Sequence, residues 1–560
     1  CKEKTKWLDI GKALKNYENG LELWKRFVFE GKSHEKYFER FETKNYLTIK
    51  TLAWYAQKDS GDEYKKWVET SWVGPRKVDL IHGSQLDVAK FIYRKYWLVF
   101  VCSNIEKKTW YYFDGKRWVH SPKGIFLRQM ITQETIPEIE KDIQKMIKGC
   151  EEETEDIKRM KRILYSLKTN SFREGVVKLC MELFYCPFFE EVIDQNPYIF
   201  GVGNGVLEIC EGQILFRESK PEDYVTKFTH VKYLSNPLSE ENYENYKKLA
   251  DWLIKVFPDE EVLDFFLKFS ASCLVRRNSE KHFYIMTGAG DNSKSMIKKL
   301  FEETFGPYVH TFPASVLSNK ALDRGPTPER SLAKNTSLCF IQEPDDDEWI
   351  KSGPLKEHTG GDSYFTRNLY EPGNVQKNTY RIVLLCNKPP SISNVDKAVK
   401  NRVVVIPFVS TWIDNPPESE EEQKRQRLFK KDPKFEEKIP ELAPVFLSLI
   451  VLVYKRYYKE GLKIPPSIKN FTEKFWNEND PYSNFISEFI EEDKDSFIKI
   501  HDLCDQFRKW FRVSYTCTKV PDINVVKNNF IIRWGEPVDG KFMRKRLKKT
   551  FNVDLIDKII

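Results

Sequence analysis

The sequence predicts an α/β fold built around a phosphate-binding loop, and three observations carry that prediction. An apolar run of strand length, His282–Thr287, leads into Gly288-Ala289-Gly290-Asp291-Asn292-Ser293-Lys294-Ser295. A segment of helical period follows, with Met296, Ile297, Leu300 and Phe301 on one side; strand, glycine-bearing loop, Lys-Ser and helix are the context of a P-loop. Beyond it, strand-like and helix-like patterns alternate, as a sheet covered by helices requires.

The loop chemistry explains its residue types. Backbone N–H groups must wrap an anion, so side chains at Gly288 and Gly290 would obstruct it, and a helix starting near Lys294 turns its positive dipole end toward phosphate. Lys294 would bridge the terminal phosphates and the Ser295 hydroxyl would ligate Mg²⁺. The usual pattern has glycine before the lysine; Ser293 stands there instead.

Three later strands carry polar residues at their ends. SLCFIQEP (337–344) reaches Glu343, a carboxylate able to hold Mg²⁺ or polarise an attacking water. YRIVLLCN (380–387) ends in Asn387, whose carboxamide can reach a γ-phosphate. RVVVIPF (402–408) begins with Arg402, a permanently charged guanidinium suited to developing phosphoryl charge, commonly supplied by a neighbouring subunit.

The rest of the chain bounds the answer. At 560 residues it is too long for one core, and about three or four domains are expected. Apolar content of 41% suffices to fill them, and the net charge of +8 permits a nucleic-acid partner without demanding one. The 11 Cys form no C-x-x-C pair and no cluster at ligand spacing, which favours free thiols over zinc or disulfides. The longest oily piece, 442–454, is too short to span a bilayer and reads as a core helix, so no membrane partner is expected. The chain opens on Cys1 rather than Met, so it is expected to be a piece of something longer.

In order, residues 1–75 read as a helical domain, with Trp7, Ile10, Leu14 and Tyr17 at helical spacing. Residues 76–235 read as an α+β domain: strands at 97–103 and 109–119, the second broken by Asp114-Gly115, then charged helices over 133–185. YIFGVGNGVLEI (198–209) follows, with Asn204-Gly205 as a hairpin turn. Its glycines are not a nucleotide loop, because a strand and not a Lys-Ser helix comes next. Residues 236–410 hold helices over 240–280 and then the nucleotide-binding core. Residues 411–560 hold a charged solvated stretch with a helix (414–437), an oily helix (440–460), helices near 483–492 and 501–512, and a basic tail. The run Lys541-Phe-Met-Arg544-Lys545-Arg546-Leu-Lys548-Lys549 is the densest basic cluster, either a duplex-binding element or a solvated face.

With these residues in view, the chain resembles the primase–helicase proteins of poxviruses, asfarviruses and other large cytoplasmic DNA viruses, whose motor is a superfamily 3 helicase of the AAA+ class. WYYFDGKRW (110–118) and NPYIFGVGNGVLEI (196–209) are similar to the domain preceding the motor. GAGDNSKS, Glu343-Pro344, KEHTGGDSYFTRNLYEP (356–372), NKPP (387–390) and DKAVKNRVVVIPF (396–408) are similar to its motor motifs. The family often has two adjacent arginines in the last, where this chain has Asn401-Arg402.

The resemblance implies an ATP- and Mg²⁺-dependent DNA helicase that forms a hexameric ring, with residues 1–75 linking to an upstream primase module and a winged-helix-like C-terminal end. Gly288 to Ser295 would bind nucleotide. Lys294, Glu343, Asn387 and Arg402 would be catalytic, Arg402 acting on the neighbour's nucleotide, and Ser295 and Glu343 would hold Mg²⁺. The segment between Glu343 and the next strand forms a hairpin entering the ring pore in such proteins. Here it offers Arg367, Tyr370 and Lys377 for sequence-tolerant contact with a single strand. Forked DNA, viral polymerase factors and a replication site in the host cytoplasm complete the expectation. The alternatives are an ATPase that loads or remodels other replication proteins, and a DNA-binding scaffold with a weak P-loop.

Overall fold

The structure is a computed structural model. It describes residues 83–148, 154–318, 328–345, 349–361, 363–366, 374–393, 395–514 and 520–548, and the helical domain expected over 1–75 lies outside them. The chain forms two compact units, Cys1–Tyr233 and Leu234–Ile560.

The first unit packs helices beside two small antiparallel sheets. Helix α1 (Gln85–Tyr96) opens with a capping box in which Ser84 and Asp87 satisfy each other's backbone N–H groups. Strands β1 (Phe100–Asn104), β2 (Thr109–Phe113) and β3 (Trp118–Pro122) form a meander. Helices α2 (Ile136–Lys148), α3 (Glu155–Lys168) and α4 (Asn170–Leu183) bury Ile139, Ile143, Ile163, Leu167 and Val177 in a core shared with α1 and Trp110.

Strands β4 (Ile199–Val202), β5 (Gly205–Cys210) and β6 (Gln213–Arg217) form the second meander. Its glycines answer a packing need. A Cβ on Gly201 would lie 2.7 Å from the Lys227 carbonyl oxygen, and one on Gly203 would lie 2.4 Å from that of His230.

The second unit is organised on a five-stranded parallel sheet. Helices α5 (Glu240–Val256) and α6 (Glu260–Ser272) lead in, and the Asp259 carboxylate caps α6 through the N–H groups of Glu261 and Val262. Strand β7 (Phe283–Thr287) passes through the glycine loop into α7 (Lys294–Phe305). Next come β8 (Val309–Phe312) and β9 (Leu338–Ile341), then β10 (Ile350–Lys351), α8 (Ser352–Thr359) and a hairpin of β11 (Ser363–Thr366) with β12 (Asn374–Lys377). Strand β13 (Arg381–Cys386), the short β14 (Ile392–Ser393) that pairs with β10, and β15 (Val403–Pro407) complete the core.

The sheet order is β15-β7-β13-β9-β8. Strands β7, β9, β13 and β15 are almost wholly apolar and buried, as expected where both faces are covered, whereas the edge strand β8, with His310 and Thr311, is half-buried. Strand β13 is inserted between β7 and β9, so the chain end of β13 emerges between the other two.

Past the core, β16 (Thr411–Ile413) and β17 (Leu428–Lys430) pair in parallel around an exposed helix, Glu420–Gln426. The stretch over 414–437 therefore contains a strand as well as the expected linker and helix. Helix α9 (Phe435–Glu460) carries Pro440 and Pro444 inside it and buries Leu442, Phe446 and Ile450. Helix α10 (Pro466–Glu478) packs on β15, where the Thr472 hydroxyl accepts the Val405 N–H at 3.0 Å.

Helix α11 (Pro481–Phe489), strand β18 (Ile490–Lys499), helix α12 (Ile500–Ser514), helix α13 (Ile523–Trp534) and strand β19 (Lys541–Leu547) form the end, with β18 and β19 antiparallel. The helix expected near 483–492 stops at Phe489, where Ile490 opens strand β18 and residues 490–492 pair with β19. The basic tail is the paired strand β19, and α13 was not expected.

Candidate functional site

The chemistry-bearing residues gather at the carboxyl edge of the parallel sheet. After β7 the chain turns over Gly288, where a Cβ would lie 2.3 Å from both the Phe408 carbonyl oxygen and Asn292 Nδ2. Glycine is required here for closeness of approach. Gly290, Asp291 and Ser293 have φ of +36°, +41° and +65°. Ser293 thus holds the left-handed conformation for which glycine is suited, and its Oγ lies 3.5 Å from the Trp252 indole nitrogen.

Lys294 is the first residue of α7 and is buried. Its ammonium donates to the Gly288 carbonyl oxygen (2.6 Å), Asn292 Oδ1 (2.8 Å) and Asn387 Oδ1 (3.2 Å). Burial lowers the pKa of that ammonium, partly offset by Cys386 and Glu343. Asn387, just past β13, donates its backbone N–H to Glu343 Oε1 at 2.6 Å and accepts the Thr287 hydroxyl at 3.1 Å. Lys294, Asn387 and Glu343 are therefore linked in one chain of contacts across three neighbouring strands.

A cavity of about 790 Å³ opens beside the loop, lined by Gly290 to Met296, Asn387, Trp252, Trp412 and Lys431. A second, of about 1050 Å³, lies on the Glu343 side and is lined by Thr287, Lys388 and Phe475 among others. The residues present fit a nucleotide phosphate chain. Asn292 Nδ2 is buried with no hydrogen-bond partner among the described residues, and the loop around Gly288 has no room for a side chain. Ser295 is exposed toward the first cavity, and Glu343 keeps one carboxylate oxygen beyond its bond to Asn387. Ser295 lines the first cavity and Glu343 the second, and each offers an oxygen of the kind a hard cation such as Mg²⁺ takes.

One contact set was not legible in the sequence. The Asp291 carbonyl oxygen accepts the Trp412 N–H at 2.8 Å, and its carboxylate pairs with Lys431 at 3.0 Å. The ribbon β16–β17 thereby grips the tip of the loop.

Arg402 lies elsewhere. It precedes β15, level with the start of β7, where its carbonyl oxygen accepts the Phe283 N–H. Five strand residues separate it from the loop edge, about 16 Å at 3.3 Å per residue. Its guanidinium is half-buried and donates to the Ala398 carbonyl oxygen at 2.8 Å.

Of the three expected DNA contacts, Lys377 is exposed at the end of β12, whereas Arg367 and Tyr370 lie outside the described residues. In the basic run, Arg546 pairs with Glu491 and Asp493, and Lys545 with Glu492, so β18 neutralises part of it.

The parallel sheet and the glycine loop at its carboxyl edge define an α/β protein with a phosphate-cradle geometry. Residues 89–258 match the family described as D5 N terminal like. "Putative helicase L207/L206" of Acanthamoeba polyphaga mimivirus is 28% identical over 93% of this chain and 56% of its own length. "Putative helicase 022R" of Frog virus 3 is 25% identical over 96% of this chain and 66% of its own length. "Putative primase C962R" of African swine fever virus (isolate Warthog/Namibia/Wart80/1980) is 22% identical over 71% of this chain and 41% of its own length.

The chain thus resembles the primase–helicase proteins of large DNA viruses, and it spans 41% to 66% of the length of these relatives. Among solved structures it is similar to the apo NrS-1 C-terminal region, at 16% identity over 52% of this chain and 63% of that one. The TM-score is 0.31, at which the likeness carries no argument.

Proposed function

We propose that the chain is the motor part of a viral primase–helicase: an ATP-driven superfamily 3 AAA+ helicase that forms a hexameric ring and moves on single-stranded DNA. The observation that carries this reading is the linkage of Lys294, Asn387 and Glu343 at one sheet edge. Each group has a task there. Lys294 holds the terminal phosphates, Asn387 senses the γ-phosphate while orienting Glu343, and Glu343 aligns the attacking water. Mg²⁺, when bound by Ser295 and Glu343, supplies neutralisation of phosphate charge.

Arg402 is too far along β15 to serve its own loop, which favours action on a neighbour's nucleotide and hence a closed head-to-tail ring. The β11–β12 hairpin, with Arg367, Tyr370 and Lys377, is read as the strand-tracking element. Forked DNA, an upstream primase module and viral polymerase factors are the proposed partners, at a replication site in the host cytoplasm. A scaffold with a decayed loop is disfavoured by Ser293, which keeps the glycine-like backbone.

The test is hydrolysis and forked-duplex unwinding by the purified chain beside Lys294→Ala. We expect DNA-stimulated turnover that Lys294→Ala abolishes. Equal turnover in the variant would sink the loop assignment, and turnover without unwinding would favour a loader or remodeller.

A further inference from the structure

We propose that a cavity in the first unit, between the π-helical turn Ile131–Thr135 and the start of α4, binds a phosphate group through Arg128 and Arg173. The chain runs from a short helix, Ile125–Met130, through that turn into α2 without leaving the helical conformation. Within the turn the Ile136 N–H reaches the Ile131 carbonyl oxygen, five residues back, so one extra residue is accommodated. Turns of this kind are rare and recur at functional sites. Ile131 and Thr135 are buried in the core, while Thr132 and Gln133 are exposed.

Thr132 ties the two arginines together. Its hydroxyl donates to the Arg128 carbonyl oxygen at 2.9 Å, and the same oxygen accepts Arg173 Nη1 at 2.9 Å. Arg173, in the first turn of α4, is half-buried and makes no ion pair among the described residues. A guanidinium presents five N–H donors in one plane, so most of them are left for a ligand. Arg128 meets only the Glu174 carboxylate, at 3.3 Å, and that carboxylate is 56% exposed. A surface pair of this sort is weak and gives way to a multiply charged anion.

The lining selects the ligand. The cavity holds about 300 Å³ and is lined by Arg128, Gln129, Thr132, Gln133, Asn170 and Arg173. No carboxylate and no aromatic side chain is among these residues, so a nucleobase has nothing to stack on and the anion itself is what is recognised. Two guanidiniums from different helices, with carboxamides around them, place donors on several sides. That arrangement matches a tetrahedral oxyanion better than a flat carboxylate, which one arginine would satisfy. Two sources carry this chemistry, a free polyphosphate and the backbone of a nucleic-acid strand, and the experiment separates them.

The experiment uses the full chain carrying Lys294→Ala, which weakens the nucleotide loop, and inorganic pyrophosphate as the probe in a calorimetric titration. Pyrophosphate should still bind. Adding Arg173→Gln should weaken it about 10-fold or more, the scale of a lost charge-assisted hydrogen bond. Adding Glu174→Gln instead, which frees Arg128, should tighten it about two- to fivefold, a gain that no folding defect produces. A single strand of about 20 nucleotides that displaces the pyrophosphate assigns the site to a strand backbone; a strand that does not displace it assigns the site to a free polyphosphate. Absence of pyrophosphate binding in the Lys294→Ala chain, or affinity unchanged by both added substitutions, would overturn the proposal. Arg173→Gln alone should hydrolyse ATP at the parent's rate, so that failure of this site and failure of the motor reading are told apart.

Discussion

Replacing Ser293 with glycine separates the geometry of the loop from the chemistry of its hydroxyl. Ser293 sits at φ +65°, ψ 9°. The left-handed region costs an L-residue about 1–2 kcal/mol, and glycine avoids that while losing about 0.5–1 kcal/mol in backbone entropy on folding. The hydroxyl contact with Trp252, at 3.5 Å, is longer than an ordinary N–H···O bond and adds little. The balance lies between no change and about 1 kcal/mol of stabilisation, so hydrolysis should hold or rise slightly. Urea unfolding and steady-state ATP turnover of Ser293→Gly would measure both. A loss above about 2 kcal/mol, or a fall in kcat beyond tenfold with stability intact, would refute the argument and assign the hydroxyl a role through Trp252. Ser293→Val, β-branched at positive φ, should instead destabilise by a further ~1 kcal/mol or more.

Arg402→Ala subunits should bind ATP nearly normally and lose hydrolysis on the order of 10³-fold. Mixed with Lys294→Ala subunits they should regain part of it, in proportion to assembly; mixed rings without rescue would make Arg402 a structural residue held by Ala398. Arg367→Ala with Lys377→Ala should weaken single-strand binding equally for all sequences and reduce the salt slope by roughly one per lost phosphate contact; an effect on one base composition alone would contradict the hairpin reading. His358 in α8 is buried with Nδ1 2.7 Å from the Tyr380 hydroxyl, and burial, with the Arg330 charge, lowers its pKa from 6.5 to about 3. The unfolded chain then binds the extra proton first, so this contribution is complete above pH 6.5 and is lost as pH falls from there toward 3. His358→Gln should flatten that part of the stability–pH curve, and an unchanged curve would show that His358 is not its source.

Much of the parallel-sheet core was legible because most of its strands are buried on both faces and read as apolar runs, as in 283–286, 382–386 and 403–407. The loop was legible because few residue types can wrap an anion. Strand β8 was not, since Val309, His310 and Thr311 are only half-buried and give no such run. The ribbon at 411–430 was hidden because its lysines and glutamates look like a solvated linker, although Lys431 reaches the loop. Helix α13 was hidden because apolar residues stand on both of its faces, which erases the helical period.

The grip of Trp412 and Lys431 on Asp291 also has a bearing on how the chain is made. The two ends of the ion pair are 140 residues apart. At about 5–20 residues per second, the ribosome delivers Lys431 roughly 7–28 s after Asp291. Within that interval all five strands of the sheet, β13 and β15 included, are translated before residue 411 is reached, but the loop tip lacks its clasp. A nascent chain halted before residue 411 should therefore contain the whole glycine loop and all five sheet strands and still leave the loop tip unclasped, so that on the proposed nucleotide-binding reading tight binding arrives late in synthesis, after the sheet is complete.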